Sequence, residues 1–448
     1  MWWLVLACSG DPEPPVETGT VPEPEPVELT DPLSMPAEPT VDPGAFQLAE
    51  SCGSCHEGHY REWRTSMHAY AMVDPVFQAL VERRQADRDG LEDRFCVQCH
   101  SAIGTRGGEI VPGFAFDDLS PITMEGVTCE ACHRSGGELA RDHNSGHVLD
   151  PLGPLWGPSG VPVAIHPTAA SDLLRTSDFC GGCHDVIEAN GLDLERPFRE
   201  WQESPSAEVG QTCQDCHMPP VRRSPADGQP ERTLRAHTFV GVEVPLLEGF
   251  LTPGEEAEVR ERTEALLDTA AALRLDGPTE VPHGRTFDVN VTVENRIPGH
   301  NLPTGSTFIR QLWVELVARD AEGTVRYATG TLDANGDLRD HWSELDPYGD
   351  PDLISLASGF VDASGAPTLF PWVATEHTSN ALSPSYERTW TLFVPTDAAA
   401  GETLTIDARL RFRAMPPHLL RTLGLDTLTE RLEVHDLATA TATVTLVE

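Results

Sequence analysis

Ser51-Cys52-Gly53-Ser54-Cys55-His56 is the stretch on which the reading of this chain turns. Two cysteines three positions apart, followed at once by a histidine, return four more times. The repeats are Cys96-Val97-Gln98-Cys99-His100, Cys129-Glu130-Ala131-Cys132-His133, Cys180-Gly181-Gly182-Cys183-His184 and Cys213-Gln214-Asp215-Cys216-His217. Cys-x-x-Cys pairs alone also suit structural zinc, disulfides or redox-active thiols. None of these needs a histidine directly after the second cysteine. With His at about 4% of the chain, five such coincidences have a probability on the order of one in ten million, and the pattern is the attachment signature of c-type haem.

The spacing has a chemical reason. The two thiols form thioethers with the two vinyl groups of a haem, and the next residue then lies under the iron as its proximal ligand. On this reading Cys52, Cys55, Cys96, Cys99, Cys129, Cys132, Cys180, Cys183, Cys213 and Cys216 carry five covalent haems c. His56, His100, His133, His184 and His217 bind the five irons. Ten of the 11 cysteines are thereby used, and the remaining one is Cys8. Haem is joined to such chains after export, so a periplasmic or cell-surface location is expected.

The N-terminus fits export. Val5-Leu6-Ala7-Cys8 resembles a lipobox, which reads residues 1–8 as a lipoprotein-type signal and Cys8 as a lipidated residue. An acyl chain there would anchor the protein to the outer membrane without spanning it. The basic n-region is missing and the apolar run is short for a signal peptide. No later stretch reaches the ~18 apolar residues of a membrane-spanning helix. Residues 9–43 are dense in Pro and acidic residues, contain no basic residue, and read as a disordered tether.

Residues 44–250 hold all the motifs and are rich in Gly and Pro, with short helical patches at 58–72 and 75–88. They predict a haem-packed domain, mainly α or irregular, in which the prosthetic groups replace much of the missing core. Residues 251–278 predict a connecting helix. Thr252-Pro253-Gly254 opens it, Glu255 and Glu256 meet the positive end of its dipole, and Asp276-Gly277-Pro278 stops it. From residue 279 to 448 the apolar period becomes two, clearest at 286–293, 311–318, 389–394, 403–412 and 441–447. That pattern predicts an antiparallel β-sandwich of the immunoglobulin-like kind. The expected fold is therefore multidomain: a multihaem cytochrome c domain followed by a β-sandwich domain. Asp333-Ala334-Asn335-Gly336-Asp337 resembles part of a calcium loop, but an ordinary turn accounts for it.

The formal net charge is -40, from 71 acidic and 31 basic residues, and every basic residue is arginine. Such a chain is not built to neutralise phosphates, so nucleic acid is excluded as a partner. The acidity favours a basic partner or simple solubility.

Five irons need up to five further ligands. Among the histidines outside the motifs, His68, His143, His166, His237 and His300 are the candidates, with His147 weaker. His59 stands too close to His56 to ligate the same iron. Bis-histidine ligation gives low-potential haems, whereas an axial methionine would raise the potential.

The first four motif segments resemble the tetrahaem cytochrome c-554 family, which includes the electron acceptor of hydroxylamine oxidoreductase. The resemblance rests on Cys52–His56 with Trp63 and His68-Ala69, and on Phe95–His100 with Gly107-Gly108. It extends to Gly126-Val127-Thr128 before Cys129–His133 with Asp142-His143, and to Phe179–His184. It implies closely packed haem pairs, mostly bis-histidine irons, and one haem without a distal ligand. It also implies that His68 and His143 serve haems other than their nearest in sequence. The fifth motif and the β-region depart from that family and resemble larger multihaem cytochromes of metal- and sulfur-respiring bacteria.

The function expected is electron transfer through five haems in a respiratory chain, with other cytochromes or a quinol-linked complex as partners. The alternative is a reductase of nitrite, hydroxylamine or tetrathionate at an open iron. A chain without lysine cannot carry the Cys-x-x-Cys-Lys haem of multihaem nitrite reductases, and no other catalytic cluster stands out. A third reading, in which the haems only hold a binding protein together, leaves five haems without a reason.

Overall fold

Asp74 accepts a hydrogen bond from the Val76 N–H at 2.9 Å, and Pro75 presets the backbone for a first helical turn. The helix that follows, Pro75–Arg88, is the longest in the N-terminal half, and it ends where Asp89 turns left-handed at φ 53°. We analysed a computed structural model, which describes residues 39–448 except 91, 92, 162 and 164. Cys8, the lipobox and residues 9–38 of the tether lie outside the described residues. Residues 39–43 do not stand apart. The Thr40 and Val41 N–H groups both donate to the Arg106 carbonyl, so the described end of the expected tether is tied to the helical region.

The helices used below are α1 (Ala49–Gly53), α2 (Glu57–Arg64), α3 (Pro75–Arg88), α4 (Arg94–His100), α5 (Cys129–His133), α6 (Ser177–Gly181), α7 (Cys213–His217) and α8 (Pro253–Leu267). Each motif cysteine pair sits on or at the end of one of the short helices α1, α4, α5, α6 and α7. Helices this short are not stable alone, and the apolar clusters between them are small. One gathers Met72, Phe77, Val97 and Phe116; another gathers Ala49, Trp63 and Ala69.

α8 is opened by a capping box between Thr252 and Glu255. It ends at Leu267, and the chain passes at Ala271 into strand β1 (Ala271–Asp276). The expected helix to residue 278 is therefore too long, and the β-region starts before residue 279. Ala271, Leu273 and their neighbours suit either period over so short a run. Pairing with β3, with Leu273 opposite Val293, decides for strand.

The remaining strands are β2 (Glu280–Pro282), β3 (Thr286–Asn295), β4 (Gln311–Arg319), β5 (Val325–Thr329), β6 (Ile354–Ser355), β7 (Ser358–Asp362), β8 (Pro367–Thr368), β9 (Ala374–Ser379), β10 (Glu387–Pro395), β11 (Thr403–Arg413) and β12 (His435–Val447). One sheet runs β5-β4-β11-β12-β2 with β6 also on β4; a second runs β10-β3-β1. All these pairs are antiparallel except β2 with β12. Val289, Val291, Val293 and Val394 of the second sheet share one buried cluster with Leu312, Val314, Leu316, Leu404, Ile406 and Leu410 of the first. The two sheets thus face each other across a single core, and the β-region is a mainly antiparallel layer pair of the kind expected. A third small sheet, β8-β7-β9, flanks them.

The β-region is tied into the helical region. Arg84 of α3 pairs with Glu188 at 2.7 Å, both side chains almost fully buried, and the guanidinium lies over Phe95 and Trp372. The Trp372 indole N–H donates to Asp87 at 3.0 Å. Among the described residues no helix is long and apolar enough to cross a membrane.

Candidate haem centres

Four of the five motif histidines hand one ring nitrogen to a backbone carbonyl. His56 Nδ1 donates to Pro225 O (2.7 Å), His100 Nδ1 to Ala71 O (3.0 Å), His133 Nδ1 to Trp156 O (2.6 Å) and His217 Nδ1 to Val240 O (2.7 Å). A carbonyl can only accept, so Nδ1 carries the proton and Nε2 keeps its lone pair free for a metal.

Opposite four motif rings stands a second imidazole. The centroid separations are 6.4 Å for His56 and His166, 6.2 Å for His184 and His68, 6.3 Å for His133 and His237, and 6.3 Å for His217 and His300. An imidazole nitrogen binds a transition metal at about 2 Å, and the ring centroid lies about 1.1 Å behind it, so two rings facing across one metal stand about 6.2 Å apart. The four pairs fit an iron between them. Spacing alone does not decide, because His59 also lies 6.2 Å from His56. His59, however, leaves His56 on the same helix and accepts from Arg223 at 2.6 Å. His166 reaches the same ring from a distant segment.

Burial keeps three of the opposed rings neutral, as metal binding would require. It pushes His68 down to about 3, and His237 and His300 to about 4. Burial likewise lowers His100, His133 and His217. Each bonded distal ring uses Nδ1: His300 donates to Asn301 O at 2.9 Å and His237 to Arg235 O at 3.0 Å.

His300 sits on the loop between β3 and β4. Asn295, fully buried, donates to the carbonyls of His300, Leu382 and Ser383 and so pins the loop base. The Asn301 N–H donates to Glu200 at 3.1 Å, Thr304 Oγ donates to the same carboxylate, and Ser306 Oγ to Glu195.

His143 is not brought opposite any motif ring. Its Nδ1 meets Asp142 Oδ1 at 2.9 Å, and Arg199 holds that same aspartate. The expectation of His143 as a distal ligand does not match this placement: an adjacent carboxylate engages the ring locally. His147 donates from Nε2 to Phe179 O at 2.8 Å. Among the described residues no imidazole stands opposite His100. Its flank is covered by Phe77, stacked at 3.7 Å and 5°, and the Glu195 carboxylate lies within electrostatic reach of it.

The motifs lie side by side. The Cys52 thiol lies beside that of Cys129, Cys99 beside Cys183, and Cys180 beside Cys213. Phe239 bridges two distal rings, 4.4 Å from His68 and 5.6 Å from His237. Motif spacing carries no hint of Phe77, Phe239 or the acidic anchors Glu62, Glu195 and Glu200. These act through tertiary contacts.

His59, Glu62 and His237 place ligating atoms within 4.8 Å of one another. That trio is not free for a metal ion, since the Arg223 guanidinium already bonds both Glu62 and His59.

A fold of short helices bearing Cys-x-x-Cys-His turns, with imidazoles paired across metal-sized gaps, is similar to that of the multihaem c-type cytochromes. More narrowly, residues 51–134 match the family described as cytochrome c554 and c-prime. Cytochrome c-554 of Nitrosomonas europaea is 30% identical over 115 residues, 24% of this chain and 46% of that protein. The C-type polyheme cytochrome OmcB of Geobacter sulfurreducens is 29% identical over 128 residues, 28% of this chain and 14% of OmcB. The chain therefore spans less than half the length of the curated relatives it matches. The fold is similar to that of a penta-heme cytochrome c552 from Thermochromatium tepidum, with a TM-score of 0.64 at 22% identity, covering 89% of this chain and 99% of that one.

Proposed function

We propose that this chain is an exported electron carrier holding five haems c on its five Cys-x-x-Cys-His motifs. Four irons would be held between His56 and His166, His133 and His237, His184 and His68, and His217 and His300; His100 would hold the remaining iron. The observation that carries this reading is the set of four imidazole pairs at 6.2–6.4 Å. Haem c supplies one-electron redox chemistry when bound. The chain's part is to hold the irons in fixed ligand fields and close together. Thiol contacts join the first motif to the third, the second to the fourth and the fourth to the fifth. Cys132 of the third motif lies within electrostatic reach of Cys183 of the fourth, which links the two groups, and electrons would hop among them between partner proteins, other cytochromes or a quinol-linked complex.

In this reading Cys8 is the lipidated residue, residues 9–38 hold the folded part off the outer membrane, and the location is periplasmic or cell-surface. A second reading, reduction of a small nitrogen or sulfur oxyanion, is favoured by one observation: no described imidazole faces His100, and Glu195 lies near it as an acid–base group. Mass spectrometry of the mature polypeptide tests the haem count, with five porphyrin adducts expected and free thiols or zinc fatal to the proposal. Redox titration with spin-state analysis then separates carrier from reductase. Turnover of nitrite, hydroxylamine or tetrathionate at an open iron would favour the second reading.

A further inference from the structure

We propose that Glu62, Arg223 and His59 form a positioning network for the His237 ring, and that it makes the iron between His133 and His237 harder to reduce than the iron between His184 and His68. The proposal rests on the axial assignment above.

His237 is held at two points. Its backbone N–H donates to Glu62 Oε2 at 2.7 Å. Its ring Nδ1 lies 3.0 Å from Arg235 O and 3.2 Å from His59 Nδ1. The proton positions follow from Arg223, which has donors only. Arg223 Nη2 lies 2.6 Å from His59 Nδ1 and 2.7 Å from Glu62 Oε2. His59 Nδ1 must therefore accept, its single lone pair is taken by Arg223 and its own proton is on Nε2, so the His237 Nδ1–H donates to Arg235 O with the His59 ring packed beside it. Glu62 holds Arg223 through both carboxylate oxygens, with side chains only 17% and 20% exposed.

An axial imidazole whose far N–H is donated to an acceptor is a stronger base toward the metal, and its orientation is fixed. A stronger donor favours the ferric state. The contrast lies within the same molecule. His68 Nδ1 is buried with no hydrogen-bond partner among the described residues, and His166 Nδ1 likewise. His237 has an acceptor in Arg235 O where His68 has none, and Phe239 packs between their rings.

The test uses the full-length holoprotein. His59→Leu removes the acceptor that holds Arg223 and the ring packed against His237; Glu62→Gln keeps an acceptor for the His237 N–H but loosens Arg223. Spectroscopic and electron-paramagnetic titrations of each variant, with haem counted by mass, should show one low-spin centre moving to higher potential and the others unmoved. A tenfold change in its oxidised-to-reduced ratio corresponds to 59 mV for one electron. His59→Gln, whose amide oxygen can accept, should restore most of the shift; a purely space-filling role would not be rescued this way. Unmoved potentials in both His59→Leu and Glu62→Gln, with all haems present, overturn the proposal. His237→Ala separates this from failure of the axial assignment. It should turn one low-spin iron high-spin, and if it does not, the assignment of His237 itself is wrong.

Discussion

The imidazole of His300 stands 6.3 Å from that of His217, centroid to centroid, although the two belong to different regions of the fold. His217 follows the fifth cysteine pair; His300 rides on a loop between two strands of the β-layers. The β-region therefore does more than flank the helical part: it closes one candidate iron site. In the holoprotein, His300→Ala should leave the haem count unchanged while one low-spin signal is replaced by a high-spin one. Asn295→Ala, which frees the loop base, should give a mixture of the two forms. An unchanged low-spin count in His300→Ala would exclude this pairing.

His100 lacks an opposing imidazole among the described residues, so one iron should accept an added ligand. Titration with cyanide or nitric oxide should saturate at one site per chain. His143→Ala should leave the spin-state count unchanged, because that ring is engaged by Asp142. Loss of a low-spin centre in His143→Ala would show that the ring swings onto an iron.

Asp74 carries a pH prediction. Burial, reinforced by the nearby Glu243 charge, raises its carboxyl from 3.8 to about 7, against a partial offset from Arg310 and the N–H groups it caps. The folded state thus holds a proton that the unfolded state releases above pH 3.8. Its contribution to stability is present below that pH and is lost as pH rises through about 7. Asp74→Asn keeps the helix cap without the charge. It should raise the melting temperature at pH 8 and change it little at pH 4. Equal effects at both pH values would show that the carboxyl stays ionised throughout.

Arg84 and Glu188 form a buried ion pair at 2.7 Å, with side chains 2% and 1% exposed. Arg84→Met leaves a carboxylate buried without its cation, at a cost of about 3–5 kcal/mol. Arg84→Met combined with Glu188→Gln should recover a large part of that loss. Chemical denaturation of the two variants measures the difference. A double variant as unstable as the single one would place the loss in the stacking on Phe95 and Trp372 instead.

Phe239 adopts φ 43°, a conformation uncommon for a bulky side chain. The strain places its ring between His68 and His237. Phe239→Ala should therefore change two low-spin signals together, those of the His184 and His133 irons. The signals assigned to His56 and His217 should remain as they were. A change confined to one signal would show that the ring supports one ligand only.

Much of this protein could be read without coordinates. The two-residue period from Thr286 to Val293 announced a strand, and β3 is that strand. Thr252-Pro253-Gly254 followed by Glu255 and Glu256 announced α8, though the run Ala271–Asp276 suits helix and strand equally and only pairing with β3 settled it. The distal ligands were less legible. His68, His166, His237 and His300 face motif rings, and His143 does not, yet nothing in the flanking residues separates His143 from His68.

The linear order alone determined where covalent attachment can occur, because two thioethers and a proximal nitrogen must come from neighbouring residues of one short turn. It could not determine which imidazole closes each iron from the other side. Such a ligand has only to arrive at a point in space, and His166 and His300 come opposite motif rings from distant segments, His300 on a loop held by Asn295 and Glu200. Tertiary structure decided those partners, because coordination depends on distance and direction and not on position along the chain.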